Sequence, residues 1–299
     1  MLTCQLMGGL GNQLFQIFAT MAYALKTQQS YLFFNEDILY CGVPRKTYWK
    51  NFLANLIKYT YKTEHSWPTT KIENQCHEYK DITDTVRKQS NNFCKLVGYF
   101  QSYKYFEEYK DNIYDAIKLR EIKEEIKKEY SNLFQTDAAY YISMHFRLGD
   151  YKHVQHSHNL LPYEYYKKCL TEIINANKAT HRIFAIHIFC EEEDNDLVFE
   201  TIQKLNKELE AEMKTEAEMQ EIYLVFLKTD DTIEDWKQML LMSLCHANII
   251  ANSTFSWWGA YFNETENHSA YYPSKWFGPV LEHNYLGDMF PPEWHKIVV

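Results

Sequence analysis

The sequence predicts an α/β protein built on parallel sheets and divided into two lobes. Three observations carry that expectation. A short apolar strand runs through a glycine turn into a helix at the start of the chain, strands and helices alternate regularly from Tyr140 onward, and 299 residues exceed the roughly 100 to 200 residues of one typical domain.

The elements follow in order. Leu2 to Met7 is apolar and reads as a strand, Gly8-Gly9-Leu10-Gly11 as a tight turn, and Asn12 to Lys26 as a helix with apolar residues at helical spacing. Tyr31 to Asn35 is a second strand. The stretch from Asp37 to Arg87 is aromatic and follows no clear period. Leu96 to Tyr99 reads as a strand and Tyr103 to Tyr114 as helical. Leu119 to Leu133 is a charged amphipathic helix and a natural junction, giving lobes at 1–137 and 138–299, with a C-terminal tail able to pack back on the first lobe. In the second lobe strands are expected at Tyr140 to His145, Ile183 to Phe189, Ile222 to Phe226 and, last, Ala247 to Ala251. Helices are expected around Pro162 to Asn177, Leu197 to Gln220 and Thr232 to Cys245.

Composition excludes several functions. At 46% hydrophobic and 24% charged residues the chain has material for a substantial core. A net charge of -9 argues against broad nucleic-acid binding, which needs clustered Lys and Arg. No 18-residue apolar stretch occurs and Met1 to Gly11 lack signal-peptide features, so the expected location is the cytoplasm, with no integral membrane segment. Cys4, Cys41, Cys76, Cys94, Cys169, Cys190 and Cys245 form no C-x-x-C pair and read as reduced, mostly buried thiols.

Chemistry concentrates in three places. His145-Phe146-Arg147-Leu148-Gly149-Asp150-Tyr151 lies where an apolar strand gives way to a turn, and α/β sheets bind ligands at such carboxyl ends. Arg147 there can fork onto two phosphate oxygens; the plainer reading is an Arg147 to Asp150 ion pair that fixes the turn. Ile249 to Ala260 runs from a strand into Ser253, Thr254 and Phe255, where Ser253 can cap a helix whose first amides attract an anion; the plainer reading is a capped helix that packs Trp257 and Trp258 in the core. The glycine turn at Gly8 permits close backbone approach, but the G-x-G at Gly9 has Leu14 where a dinucleotide fingerprint needs glycine.

Two patterns imitate metal sites. Asp194-Asn195-Asp196 matches the D-x-D by which many glycosyltransferases hold a divalent ion, yet with Glu191 to Glu193 it reads as a solvated acidic run. His153, His156 and His158 have no partner at fixed spacing and read as a mobile polar loop. No metal and no cofactor are expected.

Together these pieces resemble one family, the bacterial-type α-1,2-fucosyltransferases of glycosyltransferase family 11. The resemblance runs from Gly8 to Gln16, through Gly98-Tyr99-Phe100-Gln101-Ser102, His145 to Tyr151 and Asn252 to Ala260, to Pro273-Ser274-Lys275-Trp276-Phe277 and Pro291-Pro292-Glu293-Trp294. It implies a GT-B architecture of two facing Rossmann-like lobes, GDP-fucose as donor, a galactose-terminated glycan as acceptor, and inverting, metal-independent transfer. By that resemblance His145 contacts the nucleotide, Arg147 the β-phosphate, and Ser253, Thr254 and Phe255 the diphosphate, while Gly9, Gly11 and Asn12 face the fucose and acceptor. The chain departs from the family in having Leu148 where a second Arg is common, and Phe189-Cys190-Glu191-Glu192 where Phe-Ser-Asp-Asp reads guanine. Either Glu191 or Glu192 could accept from guanine N1 and N2. Asp150 is the candidate base, with orientation of Arg147 as its competing role; Asn12 could orient an acceptor hydroxyl. The alternatives are an α-1,6-fucosyltransferase or other GDP-sugar transferase, and a non-catalytic carbohydrate-binding protein whose 24 Tyr and 7 Trp stack on sugars.

Overall fold

A computed structural model describes residues 1–40, 43–63, 69–74, 78–89, 93–215 and 221–299. Cys41, Cys76 and the end of the predicted Leu197 to Gln220 helix lie outside the described residues. The chain forms two compact units, one of Met1–Ile122 with Asn284–Pro292 and one of Lys123–His283 with Glu293–Val299. The boundary therefore falls inside the charged helix rather than after residue 137, and a piece of the tail belongs to the first unit.

The first unit opens with β1 (Leu2–Cys4) and α1 (Leu10–Thr27). Short strands β2 (Phe33–Phe34), β3 (Ile38–Leu39), β4 (Arg45–Lys46) and β5 (Thr60–Tyr61) follow, then β6 (Thr69–Asn74), α2 (Thr83–Lys88) and β7 (Phe93–Gly98). Among the described residues β1, β7 and β6 form one sheet in that order, all parallel. α1 is buried on nearly every side, so its polar residues need partners. Gln16 receives the Met7 amide at 2.9 Å and returns its own amide to the Met7 carbonyl at 3.2 Å. That exchange ends β1 early, at Cys4 rather than at Met7. Tyr103 to Tyr114 is two short 3-10 turns before α3 (Lys110–Ile117): the Ser102 hydroxyl accepts from the Lys104 amide and starts the first, and Phe106 leaves helical geometry at φ -134 and interrupts the run. Asp288 accepts from the Tyr79 amide at 3.1 Å and pairs with Lys104, which ties the returning segment down.

After α4 (Leu119–Glu129) the second unit lays down β8 (Ala139–His145), α5 (Tyr163–Asn177), β9 (Ile183–Phe189), α6 (Asn195–Thr215) and β10 (Tyr223–Lys228). It continues through α7 (Asp235–Met242), β11 (Ala247–Ile249), α8 (Thr254–Tyr261), β12 (Ser269–Pro273) and β13 (His295–Ile297). β8 is buried at every position, as a central parallel strand covered on both faces must be. On one face its Tyr140, Ile142 and Met144 pack with Phe184, Ile186 and Ile188 of β9, with Leu170 and Ile173 of α5, and with Leu205 of α6.

The sheet order is β10-β9-β8-β11-β12-β13, and every pairing is parallel. Ala247 to Ala251 is thus not the last strand. Three-residue β13 and the Pro-terminated β12 carry too little periodicity to announce themselves, and the sheet edge recruits them. α7 starts later than Thr232 because Asp230 accepts from the Thr232 amide and hydroxyl and holds a turn. The α/β class with parallel sheets is as the sequence predicts.

Candidate functional site

The order of the second sheet fixes where a site can form. From β8 the chain moves outward to β9 and β10, then returns to β11 on the other side of β8, so the switch point lies between β8 and β11. Crevices at the carboxyl ends of strands flanking such a point bind ligands in open α/β sheets. β8 ends at His145, β11 leads into Ser253, and β9 ends at Phe189. All three motifs of the second lobe therefore share one edge of the sheet.

Arg147 is at the centre of this edge. Its side chain is 18% exposed and pairs through one terminal nitrogen with Asp150 and through the other with Glu191. The Tyr151 ring lies 5.0 Å from the guanidinium carbon, a cation–π contact. The Tyr151 hydroxyl donates to the Asn252 carbonyl at 3.2 Å, linking the turn after β8 to the turn after β11. The plainer reading of the heptapeptide, an Arg147 to Asp150 pair, is present; Glu191, 44 residues on in the chain by position, adds a second carboxylate that local sequence does not announce.

Ser253 caps α8, its hydroxyl oxygen accepting from the Phe255 amide at 3.3 Å. The first amides of a helix lack intrahelical partners and carry the positive end of its dipole. Trp257 and Trp258 go into the core, as the plainer reading has it, with ring centroids 5.1 Å apart at 76°. The Phe255 ring sits 5.5 Å from the His145 ring. His145 is buried, and its Nδ1 has no hydrogen-bond partner among the described residues. Burial, with the Arg147 charge adding to it, pushes its pKa down to about 3. His145 therefore works as a neutral imidazole.

Burial also lowers His187, to about 4. Between these values and the ordinary 6.5 the unfolded chain binds protons that the folded chain excludes, so stability falls as pH drops from 6.5 toward 4. The expected result is a melting temperature that declines over this window, with a shallower decline in His145→Gln. Equal slopes in the two proteins would mean that His145 is charged in the folded state.

The acidic run is not uniformly solvated. Glu191, Glu192 and Glu193 are exposed, whereas the Asp194 side chain is fully buried. Asp194 accepts from the Gly149 amide at 2.8 Å and pairs with Lys152. Asn195 donates to Asp231 at 2.8 Å. Glu192 opens a short 3-10 turn, Glu192–Asp194. The His153 to His158 stretch is strapped rather than loose: Gly278 donates to the Ser157 carbonyl at 2.8 Å and Val280 to the His156 carbonyl at 2.9 Å. His158 stacks on Tyr151 at 4.7 Å and 17°. Asn252 donates to the Asn159 and Trp276 carbonyls at 2.8 and 3.1 Å. Tyr151, Asn252 and Asp194 are the supporting residues whose roles sequence reasoning missed.

Gly9, Gly11 and Asn12 belong to the first unit, at the start of α1. Gly8 needs to be glycine: it sits at φ +77, and a Cβ there would lie 2.5 Å from Asn12 Nδ2. Gly9 is the N-cap, and a Cβ on it would meet nothing within 4 Å. Gly11 is already inside the helix. The Asn12 side-chain oxygen accepts from Gln101 at 2.9 Å. Gln13 donates to the Gly8 and Lys46 carbonyls at 3.0 and 2.9 Å and so fixes the turn.

The sequence model described as Glycosyl transferase family 11 matches residues 1–297. The O-antigen biosynthesis glycosyltransferase WbnK of Escherichia coli is 28% identical over 207 residues, 67% of this chain and 60% of that protein, so less than two thirds of WbnK is matched. An Alpha-1,2-colitosyltransferase of Escherichia coli is 25% identical over 98% of this chain and 97% of its own length. Among solved structures, POFUT1 in complex with GDP gives a TM-score of 0.43 at 11% identity, covering 91% of this chain and 97% of that one. A glycosyl transferase family 9 protein from Veillonella parvula gives 0.39 at 10% identity, covering 100% and 84%.

Proposed function

The chain belongs to glycosyl transferase family 11, and from that premise we propose that it transfers L-fucose from GDP-fucose, with inversion, onto the 2-hydroxyl of a terminal β-galactose in glycan or surface-polysaccharide synthesis. The observation that carries the reading is that, at the switch point of a parallel sheet, the turn that holds Arg147 is bonded through Tyr151 to the turn that leads into the capped start of α8. A guanidinium fork and helix amides answer the charge that builds on a leaving diphosphate without a metal. In this reading the two units are the lobes of a GT-B enzyme working in the cytoplasm. Among the described residues no helix is long and apolar enough to cross a membrane.

In this reading the residue roles are those that the family resemblance implies. Arg147 takes the β-phosphate, Ser253, Thr254 and Phe255 the remaining diphosphate oxygens, and neutral His145 a polar atom of the nucleotide. Gly9, Gly11 and Asn12 serve the fucose and the acceptor. Asp150 is bonded to the group that holds the leaving diphosphate. Inverting attack comes from the opposite face of the sugar, so this position argues against Asp150 as the base and for its competing role of orienting Arg147.

Glu191 and Glu192 also part company. Glu191 occupies one of the two terminal nitrogens that a diphosphate would use, which makes it a competitor of the donor and leaves guanine to Glu192. Glu191→Gln is expected to tighten GDP binding by up to about fivefold, the scale of a half-exposed ion pair. Glu192→Gln is expected to erase a preference for GDP over IDP of about tenfold or more, the cost of leaving a polar acceptor unpaired. Calorimetry with both nucleotides checks this; a preference erased by Glu191→Gln and kept by Glu192→Gln would reverse the two assignments.

The carboxylates of Glu191, Glu193 and Asp194 approach within 4.8 Å of one another. Glu191 is already on Arg147, and Asp194 on Gly149 and Lys152. We therefore propose that donor binding proceeds without a divalent ion. The test of the whole reading is transfer from GDP-fucose to lactose, N-acetyllactosamine and a type 1 acceptor in excess EDTA, with the linkage read by NMR. An α-1,2-fucosylated product is expected. Activity lost on chelation and restored by Mn²⁺ would make the acidic run a metal site, an α-1,6 product would change the acceptor reading, and GDP binding without transfer or hydrolysis would favour a carbohydrate-binding protein.

One relative favours a second donor. The colitosyltransferase aligns over 98% of this chain, and colitose is L-fucose without its 3-hydroxyl. Including GDP-colitose in the same assay decides: a preference for it of more than about tenfold would reassign the sugar.

A further inference from the structure

We propose that Asp194 is a positioning residue for Arg147, acting through the backbone of Gly149 and the ammonium of Lys152; the inference rests on the donor-site reading above. Asp194 lies among three exposed glutamates, yet its own side chain is fully buried. A buried carboxylate persists only where partners replace water. Asp194 has two: one oxygen accepts from the Gly149 amide at 2.8 Å, 45 residues away in sequence, and the other pairs with Lys152.

The segment that it grips is the one that sets Arg147. Gly149 is two residues beyond Arg147 and adopts φ +29, and a Cβ there would lie 2.5 Å from Glu191 Oε2. The chain at Gly149 is therefore strained for any side chain and crowded by a carboxylate. What holds it in that conformation is the bond from its amide to Asp194. From Gly149 the short turn Gly149–His153 carries Asp150, which pairs with Arg147, and Tyr151, whose ring faces the guanidinium. Lys152, in the same turn, closes a second bond to Asp194. One buried carboxylate thus fixes, by two bonds, the element that presents two of the contacts of Arg147.

A merely structural carboxylate would also lower stability when removed, so the test needs readouts that such a role would not move. Hydrogen exchange, followed by mass spectrometry over residues 146–153, is expected to be at least tenfold faster in Asp194→Ala than in wild type. In Asp194→Asn, whose side-chain oxygen can still accept from Gly149, the increase is expected to stay below about threefold. For transfer per mole of folded protein, Asp194→Ala is expected to lower kcat at least tenfold with donor KM changed less, and Asp194→Asn to recover most of the loss. In an Arg147→Ala background Asp194→Ala is expected to cost no more than about twofold further, because its effect passes through Arg147. Lys152→Met, which leaves the Gly149 bond in place, supplies the partial loss if Asp194→Ala does not fold.

Unchanged exchange at residues 146–153 in Asp194→Ala and Lys152→Met, or an equal kcat loss with and without Arg147, would overturn the inference. If wild-type protein binds no GDP by calorimetry while exchange responds as expected, the donor-site reading fails and the Asp194 clamp on the Gly149 turn stands as a feature of the fold.

Discussion

Arg147→Ala is expected to lower kcat for sugar transfer by about 10²- to 10³-fold, the effect of deleting one preorganised contact to charge that develops in the transition state. The melting temperature should change little. The two carboxylates that lose their cation, Asp150 and Glu191, have side chains 53% and 48% exposed and can be solvated where they stand. Arg147→Lys should recover little, because an ammonium cannot present two parallel donors to a diphosphate. Turnover and GDP binding measured on the same preparation check this. A variant that keeps more than a tenth of wild-type turnover would reduce Arg147 to a turn-fixing role shared with Asp150.

Trp258→Ala is expected to destabilise the protein by about 3 to 5 kcal/mol, the range for emptying a large aromatic site in a core. Trp258 is fully buried; it meets Trp257 and Tyr261 edge-on at 5.1 and 5.5 Å and lies 4.9 Å from Phe262. Trp257 in turn stacks on Tyr261 at 4.7 Å and contacts Trp294 at 5.5 Å. The cluster anchors α8, whose first turn is the proposed diphosphate site. Loss of stability should therefore bring weaker GDP binding in whatever protein remains folded. Denaturant unfolding checks the first effect and calorimetry the second. A loss below about 1 kcal/mol would mean that the α8 core repacks around the gap.

Much of this molecule can be read from local sequence. The strand Ile183 to Phe189 is found where its apolar run places it, because a buried parallel strand announces itself by continuous hydrophobicity. Ser253 caps α8 because a hydroxyl at the end of a strand has few better partners than the helix amides two residues on. The position of Arg147 at the end of β8 follows from the same strand logic. These features depend on a few adjacent residues, so one window of sequence contains their cause.

What the tertiary structure alone decided depends on partners far along the chain. β12 and β13 are too short to carry a period and exist because the edge beyond β11 accepts them. Asn284–Pro292 belongs to the first unit because Asp288 meets Tyr79 and Lys104, groups some two hundred positions earlier. Asp194 and Glu191 look alike in an acidic run, but Gly149 and Lys152 claim the first and bury it, while Arg147 claims the second. Burial and charge pairing are properties of what a side chain meets, and the sequence names the residue without naming the neighbour. Chain class, caps and strand ends were thus local facts of the sequence, whereas the choice among identical carboxylates belonged to the fold, because only a folded chain brings an amide or a cation from elsewhere within bonding distance of one of them.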